Sequence, residues 1–188
     1  MPDPAATSLE ATILWLLHNH VPESLGGFLN IVTLSGSARF LAPATVLATA
    51  ALWVARRRVE ALLIGVSMVA APLAIYALKA GVDRARPALW DAPWYWGSSF
   101  PSGHTLSAAA FATATVLCVL RIWPQRRGVA MLAIGFAIAW TVAVALSRLV
   151  IGVHWPSDVL ASIALGVVIP VSFSKMFDLH QRQRKREK

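Results

Sequence analysis

Residues 128–147 read GVAMLAIGFAIAWTVAVALS, twenty consecutive positions without a charged side chain. At a rise of about 1.5 Å per residue, a helix of that length is about 30 Å long, which is the thickness of a bilayer's hydrocarbon core. Arg126 and Arg127 precede the run and Arg148 follows it, so charge stands at both ends and none between. Working outward, four more uncharged runs fall at 40–55, 61–78, 105–120 and 159–174. These are slightly shorter, and polar flanks at the interface supply the missing length. The whole chain of 188 residues is 57% hydrophobic and only 14% charged, with a mean hydropathy of +0.61. That composition excludes a disordered chain, and a chain this small cannot hide five apolar helices from water. The expected fold is an all-α, polytopic membrane helical bundle of about five transmembrane helices plus an N-terminal amphipathic segment.

The N-terminal region reads differently. Residues 24–38 are uncharged but broken by Gly26, Gly27 and Gly36, which suits a short or re-entrant helix. Before them, Leu9, Ile13, Leu16 and Leu17 form a helical stripe too short to span, followed by His18 and His20, and this predicts an interfacial helix. Asp3 and Glu10 stand where a cleaved signal peptide carries basic residues, so none is expected. The chain divides into an interfacial segment at 1–36, a transmembrane domain at 37–177 and a basic tail at 178–188. Cys118 is the single cysteine, so one chain builds neither a disulfide nor a cysteine-based metal site.

Seventeen Lys and Arg against nine Asp and Glu give a net charge of +8. In a soluble protein this balance would suggest nucleic acid, but the positions of the charges point to topology instead. Arg56, Arg57 and Arg58, then Arg121, Arg126 and Arg127, then the tail from Lys175 to Lys188 all fall on one side of alternating spans. The positive-inside rule makes that side cytoplasmic, with the C-terminus there, and no nucleic-acid partner is expected. The tail from Arg182 to Lys188 reads as solvated and disordered, touching anionic lipid at most. Lys79, Arg84, Arg86 and Arg148 lie on the opposite side, where such charge needs a separate reason.

That reason is an anion. Lys79, Arg86 and Arg148 offer a point charge and two planar forks for phosphate oxygens, and Ser102 and Gly103 open a helix whose first N–H groups face an anionic ligand. His154 and Asp158, four residues apart, share a helical face, so the carboxylate can hold one ring nitrogen and leave the other toward substrate. His154 is therefore the candidate nucleophile. His104, from the other loop, is the candidate acid that protonates the leaving oxygen and then activates water. Arg84 either approaches the phosphate or pairs with Asp83. Trp90, Trp94, Tyr95 and Trp96 read as an interfacial aromatic belt that could also shape the entrance for a headgroup.

Lys79-x6-Arg86-Pro87, Pro101-Ser102-Gly103-His104 and Ser147-Arg148-x5-His154-x3-Asp158 together resemble the three signature motifs of the type 2 phosphatidic acid phosphatase (PAP2) superfamily. The resemblance runs from residue 79 to residue 158, and three ordered motifs are far more specific than Pro-Ser-Gly-His alone. It implies phosphate binding by Lys79, Arg86, Ser102, Gly103 and Arg148, with His104 as general acid, His154 as nucleophile and Asp158 as its orienting partner. It also implies phosphohistidine chemistry without a cofactor. No metal is expected in either reading, since a cation cluster with one carboxylate is a poor divalent site. A site at span ends suits a lipid phosphate substrate whose tail stays among membrane lipids. Resemblance to compact bacterial members makes undecaprenyl diphosphate the first choice, with phosphatidylglycerol phosphate, phosphatidic acid and lipid A phosphates, or transfer to a second lipid, as alternatives. The expected location is the bacterial inner membrane, with the site on the extracytoplasmic face.

Overall fold

A computed structural model of the chain describes residues 8–90, 95 and 97–186. Among them are seven α-helices: α1 (Leu9–His20), α2 (Gly26–Ser35), α3 (Ala38–Val54), α4 (Arg58–Val82), α5 (Gly103–Ile122), α6 (Arg127–Val150) and α7 (Pro156–Arg186). Helices α4 to α7 are each long and apolar enough to cross a membrane, and α2 with α3 make a fifth candidate, bent by 45°. The protein is thus an all-helical polytopic membrane protein. The bend has a local cause. Gly36 separates α2 from α3, and a Cβ there would lie 2.7 Å from Val144 Cγ1 of α6, so only glycine lets the chain approach α6 so closely.

Helix α5 is the centre of the bundle and packs against α4, α6 and α7. Its buried face is nearly all small: Ala108, Ala109, Ala110, Ala112 and Ala114. Opposite it on α7, a Cβ at Gly166 would sit 2.5 Å from Ala109 Cβ and 2.7 Å from the Leu106 carbonyl oxygen. Between membrane helices, attraction comes from close packing rather than from escape from water, and small residues are what allow it. The outward faces are the reverse of a soluble protein's, with Leu73, Tyr76, Met131, Leu132 and Phe136 exposed.

Two expectations change. The N-terminal helix does more than lie at an interface: Ser8 caps it through its Oγ, which accepts from Ala11 N at 3.1 Å, and Ala11 and Leu14 are fully buried against Ala145, Leu149, Trp155 and Val159. Helix α1 therefore closes one end of the bundle over α6 and the start of α7. The tail is not disordered through its described length, because α7 continues as helix to Arg186. Arg121, at the end of α5, holds that extension by donating to Asp178 Oδ1 at 2.6 Å and to Ser174 Oγ at 2.9 Å. The Gln, Arg and Lys residues beyond are good helix formers once the helix is anchored. Trp94 and Trp96 of the expected aromatic belt, and Lys188 of the tail, lie outside the described residues.

Candidate active site

The end of the bundle closed by α1 is where α4 and α6 finish and α5 and α7 begin. Helix α4 stops at Asp83, whose left-handed backbone (φ 43°) turns the chain away one turn after Lys79. The following loop folds back on itself: Arg84 N donates to Ser98 Oγ at 2.9 Å, Ser99 N to Arg84 O at 2.8 Å and Ser99 Oγ to Ala85 O at 3.0 Å. This lacing carries Lys79 and Arg86 to the same place. Lys79 Nζ donates to Ser98 O, and Arg86 donates to Gly97 O, Ser98 O and Val153 O at 3.1, 3.2 and 2.8 Å.

Arg148 comes from the last turn of α6 and is only 1% exposed. Its Nη1 donates to Thr33 Oγ1 of α2 at 2.7 Å, and its guanidinium lies over the Tyr95 ring, 4.8 Å from the centroid. Its Nε is buried with no partner among the described residues. An unpaired donor on a buried cation is costly unless an anion completes it, and a bidentate oxyanion would do so. Arg86 shares Tyr95, 5.6 Å from the same ring. Tyr95 thus spaces two guanidinium groups, a role beyond that of a belt residue.

At the start of α5 one detail departs from expectation. Ser102 is fully buried; its N–H donates to Ser162 Oγ of α7 at 2.8 Å, and its hydroxyl pairs with Thr105 Oγ1 at 3.0 Å. Ser102 therefore anchors the helix start instead of offering its N–H to a ligand. The helical ladder begins with Leu106 N on Ser102 O at 2.9 Å, so Gly103, His104 and Thr105 carry the N–H groups that precede it. Gly103 belongs to that remaining cradle. His104 is half-buried there and within electrostatic reach of both Arg148 and His154.

His154 lies in the loop between α6 and α7, 3% exposed. The turn that delivers it needs Gly152, whose φ is +80° and whose Cβ would strike the Trp90 ring at 2.5 Å. The ring's Nδ1 is 2.6 Å from the carbonyl oxygen of Ser99. Because a carbonyl only accepts, Nδ1 carries the proton and Nε2 keeps its lone pair. Burial, opposed by Asp158 but reinforced by the charges of Arg148 and Arg86, pushes this imidazole down to about 4, so it is neutral at physiological pH.

Asp158 is brought beside His154, but its oxygens are spent elsewhere. Its carboxylate is 3.9 Å from His154 Nδ1, an electrostatic distance and not a hydrogen bond. Asp158 Oδ2 accepts from Trp155 N at 2.9 Å, and Oδ1 accepts from Arg84 Nη1 at 2.6 Å. The expected direct hold on the ring is thus made by Ser99 O, while Asp158 fixes the turn that bears His154. Arg84 neither pairs with Asp83 nor turns toward the phosphate-site cations: with Nη1 on Asp158, its other arm, Nη2, meets Glu10 of α1 at 2.6 Å. Glu10 Oε1 in turn accepts from Ser157 N and Oγ at 2.9 and 2.7 Å. Neither of the histidines at the end of α1 joins the cluster; His18 stacks on Trp90 at 4.2 Å. Sequence reasoning passed over Glu10, Thr33, Ser99 and Ser162. For Glu10 a signal existed, since an acid in an apolar helix of a membrane protein needs a partner.

Fold and site define a polytopic membrane protein in which one end of the bundle collects three cations and two imidazoles. The PAP2 superfamily profile matches residues 60–182, and this chain belongs to that superfamily. It is similar to phosphatidylglycerophosphatase B of Escherichia coli strain K12, with 42% identity over 66 residues, 35% of this chain and 24% of that protein. It is also similar to phosphatidylglycerophosphatase B of Bacillus subtilis, 28% identical over 138 residues, or 73% of this chain and 68% of that one. The match thus spans about a quarter of the first relative and about two thirds of the second. Among solved structures, a transmembrane PAP2 type phosphatidylglycerolphosphate phosphatase from Bacillus subtilis superposes with a TM-score of 0.83 at 25% identity, covering 95% of this chain and 89% of that one.

Proposed function

We propose that the protein is a lipid phosphate phosphatase that removes a terminal phosphoryl group through a phosphohistidine on His154. The observation that carries this reading is the buried His154 ring, with Nδ1 on Ser99 O and the unpaired Arg148 Nε in the same cluster of charges. Lys79, Arg86, Arg148 and the N–H groups at Gly103 bind the phosphoryl oxygens and take up the charge that grows in transfer. Nε2 of His154 attacks phosphorus, the lipid alcohol or phosphate leaves, and His104, protonated beside the bound phosphoryl anion, gives it a proton. His104 then takes a proton from water as that water attacks the phosphohistidine, which releases inorganic phosphate and restores the neutral ring. Asp158 stabilises the imidazolium character of His154 from 3.9 Å.

The lipid substrate follows from location. The site lies at span ends, so a tail can remain in the bilayer while its head enters from the extracytoplasmic side; the Arg-rich loops and C-terminus face the cytoplasm. Phosphatidylglycerol phosphate is favoured because the similar Bacillus subtilis protein and the superposed structure are both phosphatases of that lipid. Undecaprenyl diphosphate, first in the reading of the sequence, is the second candidate, ahead of phosphatidic acid and lipid A phosphates. Purified protein in detergent should release phosphate from at least one lipid of this panel, and equally well in excess chelator. No release from any member, or loss of release that only added metal restores, would overturn the reading.

A further inference from the structure

Asp158 is a fully buried carboxylate, and Arg84 reaches it from the opposite loop at 2.6 Å. A guanidinium so close would cancel the negative charge that His154 needs beneath it as its ring becomes cationic on attacking phosphorus. The second arm of the same guanidinium is occupied by Glu10, also at 2.6 Å. Glu10, Arg84 and Asp158 form a line of alternating charge that leaves one net negative charge behind His154. The geometry of the arm is fixed as well as its charge. Arg84 Nη1 also donates to Ser157 Oγ at 2.7 Å, and Glu10 Oε1 accepts the Ser157 N–H at 2.9 Å, where the first turn of α7 has no acceptor of its own. Glu10 therefore caps α7 from another helix and orients the arginine that holds Asp158.

Resting on the phosphohistidine reading above, we propose that Glu10 is a positioning residue of the reaction: docked by α1, it works through Arg84 to keep Asp158 both placed and effectively negative beneath His154. The apolar seat of α1, Ala11 and Leu14 against Leu149, Trp155 and Val159, delivers Glu10 to this point. Burial acts to raise the Glu10 carboxyl, but hydrogen bonds from Ser157 and Arg84 hold it below the ordinary range, so it is ionised at neutral pH.

The test is steady-state kinetics of Glu10→Gln, Arg84→Lys and the double variant in detergent, with the best lipid of the panel. Glutamine keeps the shape of Glu10 without its charge, and lysine keeps the charge of Arg84 without a fork to bridge its partners. Each single variant should lose about tenfold in kcat with KM within about twofold. The double variant should lose no more than the worse single one, because both act through Asp158. Wild-type kcat in Glu10→Gln, a loss expressed in KM, or multiplying losses in the double variant would overturn the proposal. His154→Ala measured alongside separates the two readings: a silent His154→Ala with a fully active Glu10→Gln removes only the role of Glu10.

Discussion

Replacing His154 with alanine should reduce phosphate release by at least about 10⁴-fold, because the proposed covalent intermediate forms on its Nε2. The ring is 3% exposed and, among the described residues, is held by one hydrogen bond, to Ser99 O. Alanine removes the nucleophile while sparing the bonds that build the turn, namely Trp155 N to Asp158 Oδ2 and Arg84 to Asp158 Oδ1. The fold should therefore survive, as judged by a monodisperse profile and unchanged helix content in detergent. A well-folded His154→Ala protein that keeps more than about a hundredth of wild-type kcat would assign the attack to water or to another residue.

The second large effect is expected at Arg148. Lysine there keeps a positive charge in the buried position but loses the planar fork, in which Nη1 holds Thr33 Oγ1 while Nε, a separate donor, stays available for a phosphoryl oxygen. Loss of one well-placed donor to a developing oxyanion costs about 10²- to 10³-fold. Arg148→Lys should show a loss of that size in kcat/KM for phosphate release, most of it in kcat, with the helical fold retained. A change below about threefold would mean that Arg148 is a structural cation tying α2 to α6 and does not touch the transferring group.

How much of this could be read from the chain depends on what each residue needs for recognition. The uncharged runs of α4 to α7 were legible because a bilayer demands length and apolarity, both properties of a linear string. For the fifth span the run at 40–55 and the glycine break before it were legible, but not their union into one bent pair, since the close approach at Gly36 is set by contact with Val144 on a helix more than a hundred residues away. Lys79, Arg86, His104, Arg148, His154 and Asp158 stand out by type and spacing as candidates, and the fold gathers them at one end of the bundle. Which atom bonds which was not legible, because spacing on one helix suggests that His154 and Asp158 meet but cannot weigh competitors from other segments. Ser99 O, Trp155 N and Arg84 all win places that the four-residue spacing had given to that pair. Ser102 was misread in the same way, its N–H being claimed by Ser162 of α7. For Glu10 the need for a partner was legible but not its identity, as Arg84 and Ser157 sit 74 and 147 residues further along, in the loop after α4 and in the first turn of α7.

The stereochemical course at phosphorus tests the covalent route most directly. A lipid phosphorothioate made chiral with oxygen isotopes is hydrolysed in water of a third isotope, and the configuration of the released thiophosphate is then determined. Attack by His154 followed by attack of water inverts phosphorus twice, so net retention is expected. Net inversion would mean a single direct displacement by water, and His154 would not be the nucleophile.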